Sequence, residues 1–151
     1  MDAKGFQSHL EQNIALTKFM NFELVSLSET EARGAAPLSK NDNHRGSAFG
    51  GSLYNTLVLT SYSWLYGGLL KGDSSLALLI QNGEVEYLTE VLEEFEAVCK
   101  APSDQAVKTF LKGLESKGKA RIDLESMIFV KSSQQPLAKL RSRFVALKSG
   151  D

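Results

Sequence analysis

The chain has 151 residues, one cysteine, two histidines and a net charge of −1 from seventeen basic and eighteen acidic side chains. That length fits a single domain, residues 1–151, which buries roughly 70% of the surface its unfolded chain exposes and needs no covalent staple. Near-neutral charge gives no broad field for nucleic acid or an anionic membrane, Cys99 has no intrachain disulfide partner, and His9, His44 and Cys99 fall short of the four ligands a structural zinc site needs. No charged leader followed by an apolar core opens the sequence, so the expectation is a cytoplasmic protein with no metal, no membrane and no nucleic-acid partner.

Phe6, Leu10 and Ile14 recur every fourth residue and predict a short N-terminal helix with one apolar stripe. Phe22 to Leu38 alternates loosely around Thr30-Glu31 and Gly34, which predicts two strands joined by a turn, the second closed by Pro37. Residues 39–48 are polar and turn-rich. From Gly46 to Leu70 there is no charged residue, but Ser47, Ser52, Asn55, Thr56, Thr60, Ser61 and Ser63 interrupt the stretch, so it predicts a buried helix rather than a membrane span. That helix is expected from about Phe49 to Tyr66, with Gly67-Gly68 as a left-handed stop.

Leu76 to Leu88 reads as extended, with Asn82-Gly83 either a two-residue hairpin turn or a bulge in one long strand. Phe95, Ala97, Cys99 and Ala101 alternate with Glu94, Glu96 and Lys100 as a strand ended by Pro102. Ser103 as N-cap, the stripe Ala106, Val107, Phe110, Leu111 and Leu114, and Gly118 as stop predict a second amphipathic helix. Two further strands are expected, one from Ala120 to Val130 and one from Leu137 to Leu147, separated by a turn at Gln134-Gln135-Pro136. This order predicts an α+β class: an antiparallel curved sheet wrapped around a long central helix, the arrangement called hotdog.

The run Asn41-Asp42-Asn43-His44-Arg45-Gly46-Ser47-Ala48-Phe49-Gly50-Gly51-Ser52-Leu53-Tyr54 resembles the loop-to-helix transition of hotdog-fold acyl thioesterases. Within that superfamily it looks closest to the thioesterase-like domain found fused behind a GNAT acetyltransferase. The resemblance implies hydrolysis of an acyl thioester, acyl-CoA or acyl-carrier protein, at the start of the central helix, with no cofactor. It also implies a homodimer or higher homo-oligomer, because hotdog domains resemble one another in pairing their sheets edge to edge.

Physically the motif holds suitable parts. N–H groups in a helix's first turn lack intrahelical acceptors and carry the positive end of its dipole, and Gly50 and Gly51 leave the approach to them open. The Gly51 N–H is therefore the candidate oxyanion donor. Neutral imidazole suits His44 to polarise the carbonyl or orient water, with Asn43 or Asn41 holding that water or the carbonyl oxygen. Gly50, Ser52 and Asn82 complete the expected substrate-binding set, Ser52 also as a helix cap. Related thioesterases resemble one another in carrying an Asp or Glu about two turns after the glycine pair; here that region reads Thr56-Leu57-Val58-Leu59, and Asp42, Glu84 or Glu86 are the available replacements. Two other readings follow: a noncatalytic acyl-thioester binding module, and a hotdog dehydratase or hydratase.

Overall fold

The computed structural model describes residues 1–150. Helix α1 (Ala3–Asn13) is capped by the Asp2 carboxylate, which accepts the Gly5 N–H at 2.8 Å, and it buries Phe6 and Leu10. A single turn, α2 (Leu16–Phe19), leads to the hairpin of β1 (Glu23–Leu27) and β2 (Glu31–Ala36). After Pro37 and a short 3-10 turn comes the central helix α3 (Gly50–Tyr62), with Phe49 in extended conformation as its N-cap. The remainder is β3 (Leu76–Tyr87), β4 (Phe95–Lys100), α4 (Asp104–Lys117), β5 (Lys119–Val130) and β6 (Ser133–Lys148). Helix α4 starts and stops where its local signals place it: Ser103 Oγ accepts the Ala106 N–H, and Gly118 adopts φ 67°.

All six strands form one antiparallel curved sheet in the order β1-β2-β4-β5-β6-β3, a hotdog arrangement. Its inner face takes Ile122, Leu124, Ser126, Ile128 and Val130 from β5, and Ser126 Oγ reaches the Leu57 carbonyl and the Ser61 hydroxyl of α3. Around the N-terminal half of α3 the core holds Leu53, Leu57, Phe95, Ile128 and Leu140; around the C-terminal half it holds Phe6, Trp64, Leu65, Phe110 and Phe144. Buried hydroxyls on this apolar helix bond back to the carbonyl four residues earlier: Thr56 to Ser52, Thr60 to Thr56 and Ser63 to Leu59, at 2.7–2.8 Å. The outer face is wet and ion-paired, Arg143 with Asp123 at 2.7 Å and Arg33 with Glu96 at 2.9 Å.

The two sheet edges differ. On β1, the Gln7 side chain from α1 donates to Phe22 O and accepts from Leu24 N, each at 2.8 Å, so a helix covers that edge. Among the described residues, edge strand β3 pairs only with β6; it runs for 12 residues and exposes Leu79 and Ile80.

Two expectations need correction. Gly67-Gly68 do not stop the helix: the chain continues in a wider π-type spiral over Ser63–Leu69, closed by Leu70 N to Leu65 O at 2.9 Å, and the left-handed residues come later, at Lys71 and Gly72. These glycines serve close packing, since a Cβ on Gly68 would lie 2.6 Å from the Ser28 carbonyl and one on Gly67 2.9 Å from Phe6 and Leu27. The turn between β5 and β6 falls at residues 131–132, not at Gln134-Gln135-Pro136. Those three residues lie inside β6, and Pro136 is tolerated where a register shift between Ile128 and Val130 breaks the ladder. The alternatives at Asn82-Gly83 resolve to a bulge: β3 is one strand, with its shift between Ile80 and Asn82.

No helix among the described residues is long and apolar enough to cross a membrane.

Candidate functional site at the start of the central helix

Asn41 anchors the loop before α3. It is buried, its Nδ2 donates to Met20 O at 2.9 Å and Pro37 O at 2.8 Å, and its own carbonyl accepts the Phe49 N–H at 2.7 Å. Both amide protons are engaged, so the side chain ties the loop to the N-terminal segment, and its buried Oδ1 meets no donor among the described residues.

Asn43 organises the next turn. Its Oδ1 accepts from Arg45 N at 2.8 Å and Ser47 N at 3.3 Å, while Nδ2 donates to Ser47 Oγ at 3.0 Å. With Asn43 N to Ser47 O, Gly46 at φ 79° and the Asp42–Ala48 bridge, this makes a tight five-residue turn whose tip presents His44 and Arg45 to solvent. The His44 ring has no hydrogen-bond partner among the described residues, and Arg45 reaches Glu90 at 3.3 Å.

At the helix start, Ser52 N and Leu53 N both use the Phe49 carbonyl, at 2.9 and 3.1 Å, whereas the Gly50 and Gly51 N–H groups find no acceptor among the described residues. Two free donors at the positive end of a 13-residue helix form the anion-favouring point of the fold. The Phe49 ring lies over Gly51, 2.6 Å from where a Cβ would stand. Tyr87 Oη donates to the Gly50 carbonyl at 2.9 Å, and its ring lies 3.3 Å from where a Gly50 Cβ would stand. Burial raises the Tyr87 phenol above its ordinary range, and the nearby Tyr54 hydroxyl adds to the shift. Phe49, Tyr87, Leu88 and Leu92 are each at least half exposed, an apolar rim whose strand end is tied to the helix start through Ala48 N to Val91 O and through Tyr87.

Ser52 is part-buried beside the glycines; its carbonyl, rather than its hydroxyl, is engaged, by Thr56. Asn82 does not join this group. Gly83 faces α3, where a Cβ would strike the Tyr54 hydroxyl, so Asn82 and Glu84 point to the outer face; Asn82 lines an outer cleft of about 800 Å³ opposite Arg143. Glu86 also faces outward, paired in register with Lys139, and Thr56, Leu57 and Leu59 are buried. The structure thus sets Gly50, Gly51 and Ser52 at the first turn of α3, Asn43 and His44 in the turn that precedes it, and Asn41 as the brace of that loop, and it leaves Asn82 on the other side of the sheet. Tyr54 and Tyr87 are neighbours of the site that sequence reasoning missed. Placing Tyr87 on the helix side requires the bulge in β3, which sequence leaves undetermined. No group of three or more His, Cys, Asp or Glu suited to a metal ion occurs among the described residues.

The whole fold is similar to solved structures. A protein of unknown function from Chlorobaculum tepidum superposes with a TM-score of 0.89 at 27% identity, covering 97% of this chain and 94% of that one. A "putative thioesterase" from Shewanella oneidensis gives 0.82 at 20% identity over 96% of both chains, and a "Probable Thioesterase" of Pseudomonas aeruginosa gives 0.81 at 16%, over 97% of this chain and 96% of that one. No curated protein sequence matches the chain. The family profile described as "Putative thioesterase (yiiD_Cterm)" matches residues 3–148, nearly the full length that forms the sheet and its helix, and the chain belongs to that thioesterase family.

Proposed function

We propose that the protein hydrolyses an acyl-CoA or acyl-carrier thioester at the N-terminus of α3, as a cytoplasmic homodimer. The observation that carries this reading is the pair of unengaged N–H groups at Gly50 and Gly51, aimed from a helix start framed by Phe49 and Tyr87. An acyl carbonyl oxygen there gains negative charge as water adds, and fixed donors favour that charge more than the neutral ground state. His44, at the tip of the turn that Asn43 shapes, accepts the proton of the attacking water and returns it to the departing thiolate. Support for the dimer comes from β3, a 12-residue edge with exposed apolar side chains, in contrast to the β1 edge that Gln7 covers.

A noncatalytic acyl-thioester module is the second reading, favoured by one observation: residues 56–59 of α3 carry no carboxylate. Thiol release from short, medium and long acyl-CoAs, measured beside binding on the same samples, separates the two. Release above background supports hydrolysis; tight binding without release supports the module, and hydration of an enoyl thioester would point to a hydratase instead. Light scattering at micromolar concentration tests the dimer, which a stable monomer would refute.

A further inference from the structure

On its outer face the sheet forks. The β4–β5 ladder ends at Cys99 and Ser126, whereas β5 stays paired with β6 back to Lys119. Beyond Cys99, β4 follows its other neighbour: Lys100 pairs with Glu31 of β2, and Ala101 N donates to Thr30 O at 2.8 Å. Pro102 has no N–H to continue a ladder and leads the chain into α4. The outer cleft of about 800 Å³ lies at this fork, with Lys100, Ala101 and Pro102 along one side and the β5–β6 side chains along the other.

The floor of the cleft is apolar. Val98 and Met127 are cross-strand partners on the outer face, and Phe129 stands two residues beyond Met127 on the same face. Val98 is buried and Met127 and Phe129 are half-buried, yet none of the three belongs to either core cluster, so their burial serves no packing against a helix. On a face otherwise covered by ion pairs, this is an apolar strip at the bottom of an open cavity.

Charge on the walls is unequal. Asp123 accepts two bonds from Arg143, at 2.7 and 3.0 Å, and the two cancel. Glu125 lies 3.7 Å from Arg141 and 3.9 Å from Lys139, too far for a hydrogen bond to either. Glu84, the cross-strand partner of Arg141 on β3, forms no ion pair with it among the described residues, and Lys100 forms none at all. The lining thus sets Lys100, Arg141 and Arg143 against Asp123 and Glu125, one positive charge in excess on a chain whose net charge is −1. Two cations, Lys100 and Arg141, keep donors uncommitted above the apolar strip.

We infer that this fork is a binding site for a small amphipathic carboxylate. The apolar body lies on Val98, Met127 and Phe129, and the carboxylate takes the planar fork of the Arg141 guanidinium with the Lys100 ammonium beside it. Small-molecule sites enclose about 300–1,000 Å³, and the cleft falls in that range. It is on the opposite side of the sheet from the glycine turn and uses none of that turn's residues, so it stands whether or not the protein cleaves thioesters. Hydrolysis of an acyl thioester releases an acid of this class, and the reaction proposed above would supply an occupant.

Methionine-methyl NMR on the full chain tests this with sodium decanoate as the probe. Met127 forms the floor, while Met1 and Met20, the other two methionines, lie outside the cleft and serve as references. Decanoate is expected to shift the Met127 methyl saturably and to leave Met20 in place, with decanol binding about tenfold more weakly because it brings no charge. Absence of a saturable Met127 shift at millimolar decanoate, or decanol binding equally well, overturns the site. Lys100→Gln combined with Arg141→Gln is expected to weaken decanoate by about tenfold. Glu125→Gln, which removes a negative charge from the wall and frees Arg141, is expected to tighten it; weaker or unchanged binding overturns the charge assignment. All three side chains are exposed, so an unmoved Met20 signal reports an intact fold in each variant. A Met127 signal that moves with protein concentration alone assigns the cleft to a contact between copies and overturns the proposal.

Discussion

Replacing Gly34 by alanine tests how closely β2 crosses the central helix. A Cβ at this position would collide with the far edge of the Phe22 ring and lie 2.5 Å from Thr60 Oγ1, and both residues are buried, at 3% and 0% exposure. Thr60 cannot turn aside freely, because its hydroxyl donates to the Thr56 carbonyl at 2.7 Å and would otherwise be buried unpaired at a cost of about 1–3 kcal/mol. Displacing the Phe22 ring within a filled core adds about 1–3 kcal/mol. A net loss of about 3 kcal/mol, at about 2–4 °C per kcal/mol for a domain of this size, lowers Tm by about 6–12 °C in a circular-dichroism melt. Gly46→Ala is the control: its φ is 79°, a Cβ there would meet nothing within 4 Å among the described residues, and the left-handed backbone alone costs about 1–2 kcal/mol. Adding Thr60→Ala to Gly34→Ala opens the space and should recover part of the loss, a coupling that a double-mutant cycle measures. If Gly34→Ala melts no lower than Gly46→Ala, the close crossing of β2 over the last turn of α3 is wrong.

For His44→Ala the expected result is loss of thiol release with an unchanged melt, since the ring is exposed and makes no hydrogen bond among the described residues; wild-type kinetics would remove it from the mechanism. Asn41→Ala should do the reverse at first order, lowering stability by about 2 kcal/mol because the Met20 and Pro37 carbonyls lose their donor, and a denaturant titration with an unshifted midpoint would contradict the bracing role. On the outer face, the Arg143 guanidinium holds the Asp123 carboxyl below the usual carboxylate range. A depressed folded-state value means stability that is present above the unfolded value of about 3.9 and is lost as pH falls through the folded one. Asp123→Asn should therefore cost less than about 1 kcal/mol above pH 5, as expected for an exposed pair, and converge on wild type in acid; a constant difference down to low pH would refute the assignment.

Much of this architecture depends on signals that act locally, and those are legible in the chain. The stop at Gly118 and the cap at Ser103 require only a few neighbouring residues to agree, and the alternation of β5 from Ile122 to Val130 needs only one buried face. The glycine turn belongs to the same class, because unengaged N–H groups at a helix start follow from helix geometry alone. Local signals mislead where a tertiary contact decides. Gly67-Gly68 look like a stop, but Phe6, Leu27 and the Ser28 carbonyl come so close that only glycine fits, and the helix widens instead of ending. Asn41 and Asn43 suit a water-binding role by composition; it is the position of the Met20 and Pro37 carbonyls, and of Ser47, that gives their amides structural partners. In β3 the parity of Leu78 and Ile80 would carry Asn82, Glu84 and Glu86 onto the helix side. One bulge at Gln81 reverses that parity, sending the polar residues outward and turning Gly83 and Tyr87 toward α3. A single extra residue in a strand flips every side chain beyond it, and whether it is accommodated depends on register with β6, set some sixty residues away in the chain.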